Sequence, residues 1–166
     1  EIIVIILCLY LCGSVVTHVQ VHGIQEHEVR AIYYDNGGNH VGDEQEMEIV
    51  RLVNEYRAEA GIHPLKWDEK LAEVAQLRAD EMAASGYFEH ERPNHQSWTS
   101  AYNEVGVIYK RAAENIARGF AKPKTVVAAW MASEGHRKNI MNPNLDYIGV
   151  GISGHYYAQE FIAKNE

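Results

Sequence analysis

The sequence predicts a single domain of the α+β class, on three observations. The chain has 166 residues, a length that fits one hydrophobic core. Amphipathic helical segments follow residue 42, and residues 146–165 alternate around a Ser-Gly-His turn in the way typical of a terminal β-hairpin. Hydrophobic residues make up 46% and charged residues 23% of the chain, values that favour a globular protein over a disordered or multi-span membrane chain.

Residues 1–14 are interpreted as a truncated signal peptide. The stretch IIVIILCLYLC is apolar and is followed by the small residues Gly13 and Ser14, but it is shorter than the roughly 20 residues that a membrane-spanning helix needs. A buried strand is the alternative, because IIVII is short and β-branched. The length favours a targeting segment, so we expect a protein that is secreted or held in the cell envelope, with no stable membrane span.

Residues 15–42 are predicted to form a linker or loose arm. They show no helical period, and the stretch YYDNGGNHVGD combines Asn-Gly, Gly-Gly and other turn-forming residues. Metal scavenging is an alternative, because several histidines lie here: His18, His22, His27 and His40. Their irregular spacing favours a solvated tail. The domain itself is therefore placed at residues 43–166.

Two amphipathic helices open the domain. From Asp43, acidic residues suited to a helix N-terminus precede an apolar stripe, and Gly61 ends the segment. The triplet Leu-Lys-Trp after Pro64 predicts a strand fragment or an extended connector. Asp68 is then placed to cap a second helix, whose end is marked by Gly86.

The second half of the domain is less regular. The stretch QSWTSAYNEVG predicts a third, shorter helix, whereas YKRAAENIARG has mixed periodicity and no firm assignment. Pro123 opens a further helix with an apolar stripe that includes Trp130, and Gly135 is expected to end it. Pro143 and the neighbouring Asn residues are expected to turn the chain into the terminal hairpin.

Charge and cysteine usage limit the function classes. The formal net charge is −8, and 19 acidic against 14 basic residues follow position 42. Such a field repels phosphate backbones, so no nucleic-acid partner is expected. Both cysteines, Cys8 and Cys12, lie in the first apolar stretch, so the domain is predicted to fold without disulfides.

Two histidines stand at expected element ends, where a rigid scaffold meets open space. His90 follows the second helix and His136 follows Gly135, while Glu114 lies between them and Glu134 precedes His136 by two residues. Two neutral imidazoles with one or two carboxylates suit an open site for a divalent ion such as zinc, with water as a further ligand. The spacing matches no compact metal motif, so polar residues hydrogen-bonded at loop ends are the alternative.

Four motifs in this order resemble those of the CAP superfamily, the group of cysteine-rich secretory, antigen 5 and pathogenesis-related-1 proteins. They cover the chain from about Glu48 to Ala163 and read VNEYRAEAGIHPLKWDEKLAEVAQLRADEMAASGYFEHERP, AENIARG, VVAAWMASEGHRKNIMNPNLDYIGVGI and YYAQEF. The chain is most similar to the bacterial, disulfide-free branch. This resemblance implies a three-layer α-β-α sandwich with a small central antiparallel sheet.

The resemblance also implies a central cleft lined by two histidines and two acidic residues. The motif FEH supplies His90, AENIA supplies Glu114 and GHRKNI supplies His136. The family places the second acid three residues after the Trp of the preceding helix, where this chain has Ser133, so Glu134 is the candidate substitute. The metal ligands expected on this basis are His90 and His136, with zinc as the ion.

Other matched positions are assigned a structural role. Asn115, Arg137 and Asn139 have side chains able to tie loop backbone together. Ala113 stands where the family usually has Gly, so the path of a Glu114 loop is expected to differ slightly. Several tyrosines are expected in the core or on sheet faces rather than in a ligand cleft: Tyr102, Tyr109, Tyr147, Tyr156 and Tyr157.

Three functions remain open on the sequence. The first is a secreted binding module whose cleft holds a divalent metal ion or a small ligand, and the resemblance adds lipids and cell-envelope components as partners. The second is a metal-dependent hydrolase of the peptidase type, with Glu114 as the general base. The third is an interaction scaffold in which the polar cluster only stabilises the fold. The binding module ranks first, the scaffold second and the enzyme third, because the domain sequence contains no nucleophile elbow and no reactive cysteine to support an enzyme.

Overall fold

A computed structural model of the chain describes residues 40–164 continuously, together with residues 10–11, 14–15 and 32–34, and gives side chains from residue 43. The chain divides into two compact units, Glu1–Glu44 and Gln45–Glu166. Most of the predicted signal peptide and of the predicted arm lies outside the described residues, so both stay predictions. None of the helices in the described ranges is both long and apolar enough to span a bilayer.

The described part of the first unit consists of two short antiparallel strand pairs. Strand β1, Tyr10–Leu11, pairs with β2, Ser14–Val15. Strand β3, Ile32–Tyr34, pairs with β4, His40–Asp43, with an irregular register. Short strands therefore occur within both segments that precede the predicted domain.

Three of the predicted helix boundaries, at Asp68, Gly86 and Pro123, are present in the structure. Asp68 Oδ1 accepts a hydrogen bond of 3.0 Å from the Leu71 amide, and Gly86 ends that helix in the left-handed conformation, with φ of 70°. Pro123 occupies the first turn of a later helix. Across the described residues the helices are α1 Glu44–Glu59, α2 Glu69–Ser85, α3 Ser100–Val105, α4 Pro123–Ala132 and α5 Glu134–Ile140.

The strands after residue 44 form one sheet. Within the described chain they are β5 Lys66–Trp67, β6 Arg111–Arg118, β7 Tyr147–Ser153 and β8 Tyr156–Ala163, in the order β5-β7-β8-β6. Strands β7 and β8 form the predicted terminal hairpin, and both β7–β8 and β6–β8 pair antiparallel. Strand β5 pairs parallel with β7, so the sheet is mixed rather than purely antiparallel as expected.

Helices cover both faces of this sheet. One face packs on α1, α4 and α5 through a core that includes Val53, Trp130 and Phe161. The other face packs on α2 and α3 through a core that includes Leu71 and Ile162. All five side chains are buried, and burying an aliphatic or aromatic side chain of this size contributes about 1.5–3 kcal/mol. The predicted α+β class and its three-layer arrangement are confirmed.

Two local predictions are wrong. The unassigned stretch that contains Glu114 is strand β6, so Glu114 lies on a strand and not in a loop. Residues 114–117 are all buried, and a strand covered on both faces shows no polar alternation in its sequence. Gly135 does not end a helix: α4 stops at Ala132, the extended backbone of Ser133 separates the two helices, and His136 lies in the first turn of α5.

Two glycines on β7 allow α2 to lie directly against the sheet. A Cβ atom at Gly149 would overlap the backbone of Leu71 and Ala72, and one at Gly151 would overlap the backbone of Ala75 and Gln76. Because neither glycine has a side chain, the main chains of α2 and β7 touch without intervening atoms. The next turn of α2 carries Arg78, whose side chain enters the candidate site.

Candidate functional site

The structure brings His90 and Glu114 into direct contact. His90 lies in the loop after α2 with its side chain 53% exposed, whereas the Glu114 side chain on β6 is 1% exposed. The distance from His90 Nδ1 to Glu114 Oε1 is 2.7 Å. An ionised carboxylate only accepts hydrogen bonds, so the proton of this bond belongs to Nδ1. The contact leaves Nε2 of His90 as the ring nitrogen available to a ligand.

A buried arginine holds Glu114 from the other side. Arg78 on α2 is fully buried, and its Nε donates to Glu114 Oε2 at 2.8 Å. Its Nη2 donates to the backbone carbonyl oxygens of Glu89 and His90 at 3.0 and 3.1 Å, and its Nη1 donates to Glu81 at 3.1 Å. One guanidinium therefore fixes both the Glu114 carboxylate and the loop that carries His90.

A second glutamate lies opposite Glu114 on the neighbouring strand. Glu160 on β8 is the direct register partner of Glu114 on β6, so both side chains are on the face that packs against α2. Glu160 is 0% exposed, and the Tyr102 hydroxyl donates to its Oε2 at 2.7 Å. The two carboxyl groups and Arg78 thus form one buried charged cluster beneath His90.

Amide side chains hold His136 beside this cluster. Asn115 Nδ2 donates to the His136 carbonyl oxygen at 3.2 Å and to Gln159 Oε1 at 3.0 Å. Asn139 Nδ2 donates to the Glu114 carbonyl oxygen at 3.2 Å and to Asn115 Oδ1 at 2.9 Å. These bonds tie α5 to β6 at Asn115, the neighbour of Glu114, which contacts His90. The half-buried ring of His136 makes no hydrogen bond with any residue that the structure describes.

The remaining predicted site residues lie at the α4–α5 junction. Glu134 is exposed at the first position of α5, and within the described chain it makes no hydrogen bond or ion pair. Ser133 separates the two helices, and its side chain does not cap α5. Arg137 Nη1 donates to the Met131 carbonyl oxygen at 2.8 Å, a contact that closes the junction. We use "Glu114 network" for the hydrogen-bonded side chains of His90, Arg78, Glu114, Asn115 and Asn139. Among the described residues, no hydrogen bond joins Ser133 or Glu134 to this network.

The cluster sets different protonation states on its members. Burial alone raises the pKa of Glu114, but hydrogen bonds from His90 and Arg78 outweigh it and hold this pKa below its usual value. The bond to Glu114 raises the pKa of His90, and burial opposes it only in part. Burial, followed by the charge on His90, lowers the pKa of His136. On these directions, His90 keeps its proton to a higher pH than His136 does.

We expect an NMR titration of the imidazole Cε1–H signals in metal-free protein to show a higher pKa for His90 than for His136. His90 should titrate above and His136 below the ordinary histidine value of about 6.5. Glu114→Gln should lower the pKa of His90, because the amide keeps the shape but removes the charge. His90→Ala should move the pKa of His136 only part of the way back, since burial is the larger cause. Equal pKa values for the two rings would contradict the geometry.

The described residues offer an incomplete set of metal ligands. Among them, no group of three or more His, Cys, Asp or Glu side chains is arranged to hold a metal ion. Both Glu114 oxygens already accept hydrogen bonds from His90 and Arg78. The donors available for an ion are therefore the two imidazoles, and further ligands would have to come from water or a bound molecule.

Residues 50–163 match the model of the CAP family, the Cysteine-rich secretory protein family. The chain belongs to the CAP family. It is 45% identical over 121 residues to the uncharacterized protein YkwD of Bacillus subtilis, a match that covers 72% of this chain and 47% of YkwD. It is 35% identical over 119 residues to the uncharacterized membrane protein YlbC of the same organism, covering 34% of YlbC. The chain thus spans about half or less of the curated relatives it matches.

Solved structures share this CAP fold. An extracellular protein with an SCP domain from Bacillus anthracis is 32% identical, with a TM-score of 0.71 over 72% of this chain and 40% of that protein. A cysteine-rich secretory protein from Staphylococcus aureus is 26% identical, with a TM-score of 0.64 over 78% of this chain and 44% of that protein. An outer surface protein from Borrelia burgdorferi is 20% identical, with a TM-score of 0.67, and shows the fold alone.

Sequence reasoning missed two members of the candidate site, Arg78 and Glu160. Arg78 stands on the apolar stripe of α2, four residues after Val74 and four before Met82. A charged residue at a core position requires a buried partner, so this spacing was the signal available. Glu160 lies in the run YYAQEFIA, where it alternates with Gln159 on opposite faces of β8, and nothing in the sequence identifies Glu114 as its partner.

Proposed function

We propose that this CAP domain is an extracellular binding module in which His90 and His136 hold a divalent ion, with zinc as the expected metal. The observation that carries the proposal is the bond between His90 Nδ1 and the buried Glu114 carboxylate. A histidine that binds a metal through one ring nitrogen usually donates the other N–H to a carboxylate, which fixes the tautomer and the ring orientation. His90 already has this arrangement, with Nε2 left for the ion.

The small number of protein ligands, two imidazoles, determines which molecules an ion at this site could bind. An ion held by two imidazoles keeps open positions for water or for oxygen atoms of a small molecule. The ion would supply a positive charge that attracts carboxylate or phosphate groups to the His90 and His136 face. The ligand class supported by this chemistry is a small anionic molecule or a cell-envelope component that carries such groups.

A lipid tail fits this face less well. The large hydrophobic side chains that are exposed in the described residues are Tyr56 on α1 and Ile108 after α3. Neither contacts the Glu114 network through a described hydrogen bond or ring contact. Among the described residues, the exposed large hydrophobic side chains therefore give no support to the lipid-like ligand considered from the sequence.

The hydrolase alternative is not favoured by the geometry. A general base needs a carboxylate that can reach the proton of an attacking water. The side chain of Glu114 is almost fully buried, and its oxygens accept hydrogen bonds from His90 and Arg78. Glu114 is therefore placed to orient His90 and not to take a proton from water.

Zinc titration followed on the imidazole NMR signals tests the binding module. We expect the His90 and His136 signals to shift together as zinc is added to the full chain. His90→Ala and His136→Ala should each weaken binding at this site by about tenfold or more, because each removes one of two protein ligands. The affinity for zinc should also depend on pH, because protons compete with zinc for His90. Since the pKa of His90 is raised, this affinity should fall as the pH decreases through that pKa.

The matched control is His155→Ala, at the turn between β7 and β8, where the ring contacts the Phe120 carbonyl. This variant should leave the zinc response of His90 and His136 unchanged. Reading individual rings also separates this site from any binding by the histidines of residues 15–42. Signals of His90 and His136 that stay unmoved at saturating zinc would show that the proposal is wrong.

A further inference from the structure

Glu160 carries a buried carboxyl group whose two oxygens differ in their hydrogen bonding within the described chain. Its Oε2 accepts a hydrogen bond from the Tyr102 hydroxyl at 2.7 Å. Its Oε1 is buried and has no hydrogen-bond partner in the described chain. Buried polar atoms are nearly always hydrogen-bonded, so this oxygen calls for an explanation.

The carboxyl group next to Glu160 is that of Glu114. The two residues are directly opposite each other in the β6–β8 ladder, and both side chains are on the face that packs against α2. Two ionised carboxylates in a buried site repel each other, and neither has a proton to donate. Arg78 supplies the positive charge at the cluster, but its donors point to Glu114, to Glu81 and to backbone carbonyls.

We propose that Glu160 is a positioning residue that keeps its carboxyl proton on Oε1 and donates it in a hydrogen bond to the Glu114 carboxylate. Glu114 then accepts from His90, Arg78 and Glu160, and the Oε1 atom of Glu160 is satisfied as a donor. The chain of hydrogen bonds runs from Tyr102 through Glu160 and Glu114 to His90. The inference rests on the proposed function in one respect, since it assigns Glu160 the task of fixing the carboxylate that orients an ion-binding imidazole.

The electrostatics of the cluster agree with this arrangement. Burial, and next the charge of Glu114, raise the pKa of Glu160 well above its usual value. Burial likewise raises the pKa of Tyr102, so its hydroxyl keeps the proton that it donates to Glu160. Groups that face this pair also include Tyr109, which adds to the rise in the pKa of Tyr102. The cluster thus holds one negative carboxylate and one neutral carboxylic acid.

Infrared spectroscopy of the metal-free full chain tests the proton directly. We expect a carbonyl band of a protonated carboxylic acid that persists at neutral pH, where exposed carboxyl groups are ionised. Glu160→Gln should remove this band, whereas Glu59→Gln, at the exposed end of α1, should leave it in place. Absence of the band in the wild type, or its survival in Glu160→Gln, would overturn the inference.

Thermal stability against pH gives a second test. An acid whose pKa is raised by folding contributes stability below its unfolded pKa, and this contribution is lost as the pH rises toward the folded pKa. Gln mimics the neutral acid, with an oxygen to accept from Tyr102 and an N–H to donate to Glu114. The Tm of Glu160→Gln should therefore increase relative to the Tm of the wild type as the pH rises from acidic to alkaline values. A constant difference in Tm across this range would overturn the inference.

The pKa of His90 separates positioning from simple packing. Glu160→Gln should leave this pKa unchanged, because the donor to Glu114 is retained. Glu160→Met removes the donor and concentrates negative charge on the Glu114 oxygens, so it should raise the pKa of His90 further. Equal effects of the two variants would contradict the positioning role. All of these measurements use metal-free protein. A failure of zinc to bind would therefore contradict the proposed function but would not affect this inference.

Discussion

Replacing Arg78 with Met is expected to lower the free energy of unfolding by about 3–5 kcal/mol, which is the usual effect of removing one partner of a buried ion pair. Methionine keeps most of the volume of the side chain but leaves the buried Glu114 carboxylate without the guanidinium that pairs with it. It also leaves the carbonyl oxygens of Glu89 and His90 without their donor. Chemical denaturation at neutral pH measures the loss.

The matched control for Arg78→Met is Arg51→Met on the exposed face of α1. Arg51 pairs with Glu48 and Glu55, so it has as many acidic partners, but all three side chains face water. Exposed ion pairs contribute less than about 1 kcal/mol, so this variant should change stability by no more than that. Similar losses for the two variants would show that burial of Arg78 is not the source of its effect.

Replacing Gly151 with Ala is expected to destabilise the domain by about 3 kcal/mol, at the upper end of the usual cost of overpacking. The new Cβ atom would overlap the backbone of Ala75 and Gln76, and neither main chain can rotate away as a side chain would. Either α2 must move off the sheet or β7 must bend. Denaturation gives the stability, and the His90 pKa reports whether α2 has moved relative to β6.

Gly135→Ala is the control for this substitution. Gly135 lies in α5, and a Cβ atom there would have no neighbour within 4 Å. Alanine is favoured over glycine inside a helix by about 0.5–1 kcal/mol, so this variant should be neutral or slightly stabilising. A loss of stability at Gly135 comparable to that at Gly151 would contradict the close contact between α2 and β7.

Much of the fold follows from short-range signals. Asp68 and Gly86 bound α2 through hydrogen bonds and backbone torsions that involve only residues close in the chain, which is why the sequence predicts them. The β7–β8 hairpin is predicted for the same reason, since the Gly154 turn and the flanking alternation are adjacent. The parallel pairing of β5 with β7 joins segments about 80 residues apart, and no local pattern encodes it.

The candidate site shows the same division. His90, Glu114 and His136 are found through motifs that resemble those of the family, because those motifs keep their order along the chain. Arg78 and Glu160 carry no such motif, and each is recognisable only once α2 and β8 are placed against β6. Glu114 itself was expected in a loop, because a strand buried on both faces has no polar alternation to reveal it.

The contact between α2 and β7 decides which sequence changes the site can survive. Since the main chains of α2 and β7 are in direct contact at Gly149 and Gly151, the distance between this helix and this strand is set there by backbone atoms and not by side chains. Inserting one residue between Leu71 and Arg78 would instead rotate everything beyond it by about 100° and swing the guanidinium away from Glu114. The number of residues between Leu71 and Arg78 is therefore constrained by the position of the guanidinium, whatever apolar side chains fill the rest of the interior.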